Sequence, residues 1–101
     1  DRLNSAPMFD MKLRSHVVWE KMYVKFTCTI RGSPPPRIIW YHNMVPIEPL
    51  TLAPGTMKIS NQYGVHTLEI FQCKLEDSGT YRISAQNYKG EMSSYATLLV
   101  R

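Results

Sequence analysis

Asp77-Ser78-Gly79-Thr80-Tyr81-Arg82-Ile83-Ser84-Ala85 is the stretch that decides the fold. Its first three residues are turn formers: Asp and Ser side chains bond nearby backbone, and Gly tolerates positive φ. Behind them Tyr81, Ile83 and Ala85 alternate with Thr80, Arg82 and Ser84. Apolar residues at a period of two mark a half-buried strand. Upstream, Val24, Phe26, Cys28 and Ile30 alternate in the same way with Lys25, Thr27, Thr29 and Arg31. Trp40 follows Cys28 by twelve residues, in a segment that turns Ile38 and Trp40 inward and Ile39 and Tyr41 outward. A cysteine strand, a tryptophan strand and a tyrosine just past a turn frame a two-sheet sandwich.

The rest of the chain reads as further short strands. Pro7-Met8-Phe9 opens an edge strand, where proline is tolerated. Leu13 packs inward, and His16-Val17-Val18-Trp19 continues as a second edge segment. Glu20 and Lys21 form a turn without glycine. Gly32-Ser33-Pro34-Pro35-Pro36 ends the Cys28 strand, and its prolines restrict the unfolded chain. His42-Asn43 turns into a short strand at Met44-Val45, and Pro46 to Gly55 is irregular. Met57 and Ile59 begin a hairpin that turns over Asn61-Gln62-Tyr63-Gly64 and returns with Leu68 and Ile70 inward. Asn87-Tyr88-Lys89-Gly90 is a tight hairpin, with Gly90 expected at positive φ. Ala96, Leu98 and Val100 are the inward row of the last strand. Short strands at this spacing, with no helical period, predict an all-β sandwich. Residues 1–6 read as a linker remnant and 7–101 as the domain, and a strand running to Arg101 is expected of one bead from a longer chain.

Composition narrows the function. A chain of 101 residues suffices for one domain with one core. The net charge of +4 is scattered rather than gathered in the dense basic stripe that nucleic acid demands. No apolar run approaches membrane length. Neither nucleic acid nor membrane is therefore an expected partner. His16, His42 and His66 fall on three separate segments, with no metal-ligand spacing to Cys28 or Cys73. There is no glycine-rich phosphate loop and no convergent polar set, so neither enzyme activity nor a cofactor is expected. Cys28 reads as an inert buried thiol, and Cys73, nearer a turn, as the more oxidisable one. Asp77 is expected to cap its turn or to pair with a base such as Lys58.

The sequence resembles an intermediate-set immunoglobulin domain. The matching elements are Pro7-x-Phe9, Val24-x-Phe26-x-Cys28, Gly32-x-Pro34-x-Pro36, Trp40, Leu68-x-Ile70, Asp77-x-Gly79-x-Tyr81 and Asn87-x-x-Gly90, which cover nearly the whole chain. In the lettering of that fold, Cys28 lies on strand B, and Ile83 stands where strand F would supply its partner. The expected fold is thus an immunoglobulin-like β-sandwich without the B–F inter-sheet disulfide. Small extracellular domains lean on that bridge, so its absence points to a reducing compartment. Asn4, Asn43, Asn61 and Asn87 all fail the glycosylation pattern, which agrees. Tyr81 is the candidate tyrosine corner.

Within that set the chain is similar to the intracellular muscle proteins: the myomesin and M-protein family first, then titin, obscurin and myosin-binding protein C. The stretches Leu13-Arg14-Ser15-His16-Val17-Val18-Trp19-Glu20-Lys21 and Tyr63-Gly64-Val65-His66-Thr67-Leu68-Glu69-Ile70 carry the narrower likeness. The resemblance implies a scaffolding module of a multidomain sarcomeric, M-band-like protein that cross-links thick filaments. It also implies a cytoplasmic, cytoskeletal location. The implied partners are neighbouring immunoglobulin or fibronectin domains of the same chain and a filament protein such as myosin or titin. The rival reading is a protein- or peptide-recognition module of a signalling or adhesion protein.

The expected structural core comprises Cys28, Trp40, Leu68, Asp77, Tyr81 and Ile83. Outward positions supply the candidate interface: Ile39, Tyr41, Arg82, Tyr95 and Leu99 on the sheet that carries strands C, F and G, and Trp19 beside an edge turn. Exposed aromatics with an arginine suit an interface. The competing reading is cross-strand pairing that only stabilises the sheet. The edge from Met8 to Val18 is a further place where a partner strand would add.

Overall fold

The period-two segments become β1 (Ser5–Met11), β2 (His16–Val18), β3 (Val24–Ser33), β4 (Arg37–His42), β5 (Val45–Pro46), β6 (Met57–Gln62), β7 (Val65–Ile70), β8 (Gly79–Asn87) and β9 (Gly90–Val100). The computed structural model describes residues 3–101, so Asp1 and Arg2 of the expected linker lie outside the described residues. One sheet runs β1-β3-β7-β6 and the other β2-β9-β8-β4-β5. Their inner faces meet in one core. Val24, Phe26, Cys28, Ile30, Leu68 and Ile70 come from the first sheet. Trp40, Tyr81, Ile83, Ala85, Ala96, Leu98 and Val100 come from the second. Phe26 stacks on Tyr81 across the gap, with ring centroids 4.9 Å apart. Each large side chain removed from water here contributes about 1.5–3 kcal/mol.

The chain changes sheets between β1 and β2. β1 pairs antiparallel with β3 as far as Met11 opposite Thr29. β2 then pairs parallel with β9, His16 to Val18 against Leu98 to Val100. Buried Leu13 plugs the crossing. Two serine hydroxyls fix it: the Leu13 N–H donates to Ser94 Oγ at 3.0 Å, and the Thr97 N–H donates to Ser15 Oγ at 2.9 Å.

Several local expectations are corrected. β1 starts at Ser5, inside the stretch read as linker. β3 does not end at Gly32, because Ser5 pairs with Ser33 and carries the ladder on; the loop begins at Pro34. His42 belongs to β4, and the turn is Asn43-Met44, both at positive φ. The β6–β7 turn narrows to Tyr63-Gly64. Gly90 is not among the positive-φ glycines. A Cβ there would instead meet Ala6 Cβ at 3.3 Å, a tight contact that glycine avoids. The turn before it is closed by Asn87, whose Oδ1 accepts the Lys89 N–H at 2.9 Å.

Candidate docking face

Cys28, Trp40, Leu68, Tyr81 and Ile83 lie in the core, with Trp40 opposite Ile83 in the β4–β8 ladder. Cys28 and Cys73 are both free and buried. Burial pushes the Cys28 thiol up to about 12. Cys73, read as the more oxidisable thiol for its place near a turn, is buried like Cys28. Its N–H donates to the Met22 carbonyl at 2.9 Å and its own carbonyl accepts the Lys21 N–H at 2.7 Å, which tucks it inward. Burial, and then the nearby Asp77 carboxylate, raise its pKa, and a thiol held neutral is a poor nucleophile.

Asp77 is half-buried at the rim rather than inside the core. Its carboxylate accepts the Lys74 N–H at 2.8 Å and so caps the short 3₁₀ turn Leu75–Asp77. It forms no ion pair with Lys58, which sits opposite Glu69 in the β6–β7 ladder. His42 stacks flat on Tyr81 with centroids 4.4 Å apart. His66 is buried, and burial lowers its pKa. Among the described residues no group of three His, Cys, Asp or Glu side chains is gathered as a metal site.

The outer face of the five-stranded sheet is where polar and aromatic side chains converge. Strand register puts Tyr41 opposite Arg82 and Arg82 opposite Tyr95, so the three form one row across β4, β8 and β9. The Arg82 guanidinium carbon lies 4.7 Å from the Tyr41 ring centroid and 5.8 Å from that of Tyr95. A cation over two aromatic faces is attracted to both ring quadrupoles. Arg82 Nε also donates to Ser93 Oγ at 3.0 Å, and Nη2 lies 3.5 Å from Glu91 Oε2. The guanidinium is thereby held, while Tyr95 keeps 57% of its surface exposed. The result is a firm aromatic ledge with hydroxyl tips. Such rigid amphipathic side chains lose little entropy on binding.

Other interface candidates lie apart from that row. Ile39 pairs with Ser84 in the next row, half-buried. Leu99 sits opposite Val17, and both are exposed. Trp19 is 65% exposed beside the chain exit, where the Glu20 N–H donates to the Arg101 carbonyl at 2.9 Å. Sequence reasoning passed over Glu91 and Ser93, the partners that hold Arg82. Period two would have found them, since both share with Tyr95 the outward register of β9.

Comparison with known proteins agrees with this architecture. Residues 7–100 match the family model of the immunoglobulin I-set domain. Myomesin-2 of Homo sapiens is 41% identical over 101 residues, and the striated-muscle M-protein of Gallus gallus 39%. Both matches cover the whole chain, which spans 7% of each relative's length. Titin M4, in a trigonal crystal form, superimposes with a TM-score of 0.88 at 39% identity, covering 97% of this chain and 98% of that one. The titin domains z1z2, crystallised in complex with telethonin, give 0.89 at 36% identity, covering 96% of this chain and 48% of that one. The aligned partners are immunoglobulin domains of muscle proteins, and the chain belongs to the immunoglobulin I-set family.

Proposed function

We propose that this domain is a structural, non-catalytic module of a sarcomeric, M-band-like filament cross-linking protein, cytoplasmic and cytoskeletal in location. The observation that carries the reading is the parallel pairing of β2 with β9. The second strand from the N-terminus and the last strand of the chain run side by side in the same direction. Tension applied to the two ends pulls them in opposite directions along their length, so their hydrogen bonds are loaded together in shear. The Arg101 N–H to Val18 carbonyl bond, at 2.9 Å, extends that ladder by one step. The free, buried cysteines fit a reducing compartment. The domain is then one bead whose first strand begins at Ser5, so that the linker is shorter than residues 1–6. Its partners are neighbouring immunoglobulin or fibronectin domains and a filament protein such as myosin or titin.

Pulling the domain by its ends in a force spectrometer tests the load-bearing role. Val18→Pro removes an N–H that the ladder geometry points at β9, and a lower rupture force is expected. A rupture force that does not change rules out the β2–β9 shear reading. Immunofluorescence of the parent polypeptide in muscle tests location: a stripe at mid-sarcomere supports the M-band reading, and staining elsewhere overturns it.

A second reading, a recognition module of a signalling or adhesion protein, draws on the Tyr41–Arg82–Tyr95 ledge. Purified myosin rod or titin fragments discriminate. Binding that is lost in Tyr41→Ser/Tyr95→Ser favours the filament module, and no binding to either favours the rival.

A further inference from the structure

The crossing from β1 to β2 leaves part of β3 without a neighbour. The β1–β3 ladder stops at Met11 opposite Thr29, and among the described residues Val24 to Cys28 are paired on the β7 side alone. Direction along β3 follows from one bond: the Ile30 N–H donates to the Gly64 carbonyl, on the β7 side, at 3.0 Å. Backbone groups alternate sides along a strand. The N–H and C=O of Lys25 and Thr27 therefore point the other way, towards the lane that β1 has left. An unpaired run of this kind is a template for an added strand.

The same lane is a cleft of about 300 Å³ lined by Met11, Lys12, Arg14, His16, Lys25 and Thr27. Among the described residues no acidic side chain lines it. Lys12, Arg14 and Lys25 are exposed and form no ion pair with another described residue. Glu69, opposite Lys25 in the β3–β7 ladder, accepts the Tyr23 hydroxyl at 2.7 Å. The basic wall is held in place from behind. Lys12 and Arg14 flank buried Leu13, and the Ser94 and Ser15 hydroxyls anchor that crossing to β9. His16 packs edge-on against Phe26, with centroids 5.3 Å apart.

We infer that this lane is a binding site for an acidic peptide segment of a partner protein, taken up in extended form along the free edge of β3. Main-chain bonds to Lys25 and Thr27 supply the strand register. Lys12, Arg14 and Lys25 select carboxylates on alternate side chains. The site is separate from the aromatic ledge and does not depend on the muscle assignment.

The test is titration of the ¹⁵N-labelled domain with an acetylated and amidated heptapeptide, Thr-Glu-Val-Glu-Val-Glu-Thr, beside its Gln-for-Glu version and inorganic phosphate. Saturable amide shifts at Lys25 and Thr27 are expected with the acidic peptide. Affinity is expected to fall at least about tenfold in Arg14→Glu/Lys25→Glu and again with added salt, since exposed charges are screened. Lys12→Glu gives a second, single-site variant on the β1–β2 crossing, and circular dichroism checks that each variant is folded. Three results would each overturn the proposal. One is equal binding of the Gln peptide. Another is phosphate binding as tightly as the peptide with the β3 amides unmoved. The third is no saturable binding of the acidic peptide.

Discussion

The Tyr81 hydroxyl donates to the Asp77 carbonyl over 2.6 Å, tying β8 back to the turn from which it starts. The Asp77 carboxylate at the same time caps Lys74. One residue thus serves the turn on both sides, through its side chain and its main chain. Burial is the main reason that the Tyr81 pKa is raised, with the Asp77 carboxylate adding to it. Tyr81→Phe keeps the ring stacked between Phe26 and His42 and removes only the hydroxyl. The expected loss is about 1–2 kcal/mol, the cost of one hydrogen bond whose acceptor is left partly buried. Urea unfolding measures it; an unchanged midpoint would show that the corner bond contributes nothing net.

Gly79 stands at φ 138°, and a Cβ there would fall 2.3 Å from Asn43 Oδ1. That same Oδ1 accepts the Thr80 N–H at 2.9 Å. Gly79→Ala therefore strains the backbone and displaces the side chain that holds the β4–β5 turn against β8. A loss of more than about 1 kcal/mol is expected, since Ala at positive φ costs beyond the entropy it saves. Asn43→Ala in the Gly79→Ala background should then cost less than it does alone. Additive losses in that cycle would mean that the two residues are not coupled.

The legible parts of the fold are those that depend on a short period. Val24, Phe26, Cys28 and Ile30 alternate along one strand, and all four are buried. The parts that were not legible depend on contacts distant in sequence. Ser33 looked like loop until Ser5, on the neighbouring strand β1, paired with it. Cys73 looked the more oxidisable thiol because it lies nearer a turn, yet the Lys21–Met22 segment, about fifty positions away along the chain, bonds to it and tucks it inward. Gly90 looked like a φ requirement, but it is outside the positive-φ set and instead passes close to Ala6. The aromatic row was legible as outward register, whereas the clasp of Arg82 by Ser93 and Glu91 is set by a neighbouring strand. The basic lane was the least visible, because Lys12, Arg14 and Lys25 become neighbours only through the change of sheets.

Trp40 is 2% exposed, and its Nε1 is buried with no hydrogen-bond partner among the described residues. Its contribution is therefore one of volume rather than of polar bonding. Trp40→Ala should cost about 3–5 kcal/mol, as expected of a core aromatic. Trp40→Phe loses volume but also removes the orphan donor, which itself costs about 1–3 kcal/mol to bury. The Phe variant is expected to unfold much closer to wild type than to the Ala variant. If both lose the same amount in urea, the indole nitrogen is bonded and the volume reading fails.

Stability should fall on both sides of neutral pH, for opposite reasons. Burial lowers the His66 pKa from 6.5, so the fold keeps the ring neutral where the unfolded chain would take a proton. Its contribution is complete above pH 6.5 and is lost as pH falls through the lower folded value. Cys28 is the mirror case. Burial raises its thiol from 9.0 to about 12, so the unfolded chain releases a proton that the folded chain retains. That contribution is complete below pH 9.0 and is lost as pH climbs towards 12. Cys73 and Tyr81 are raised too and steepen the alkaline limb. Urea midpoints at about pH 5.5, 7.5 and 10.5 should therefore peak at the middle value. His66→Gln is expected to flatten the acid limb, and Cys28→Ala to make the alkaline limb shallower at a lower overall midpoint. An acid limb that keeps its slope in His66→Gln would assign that loss to another group.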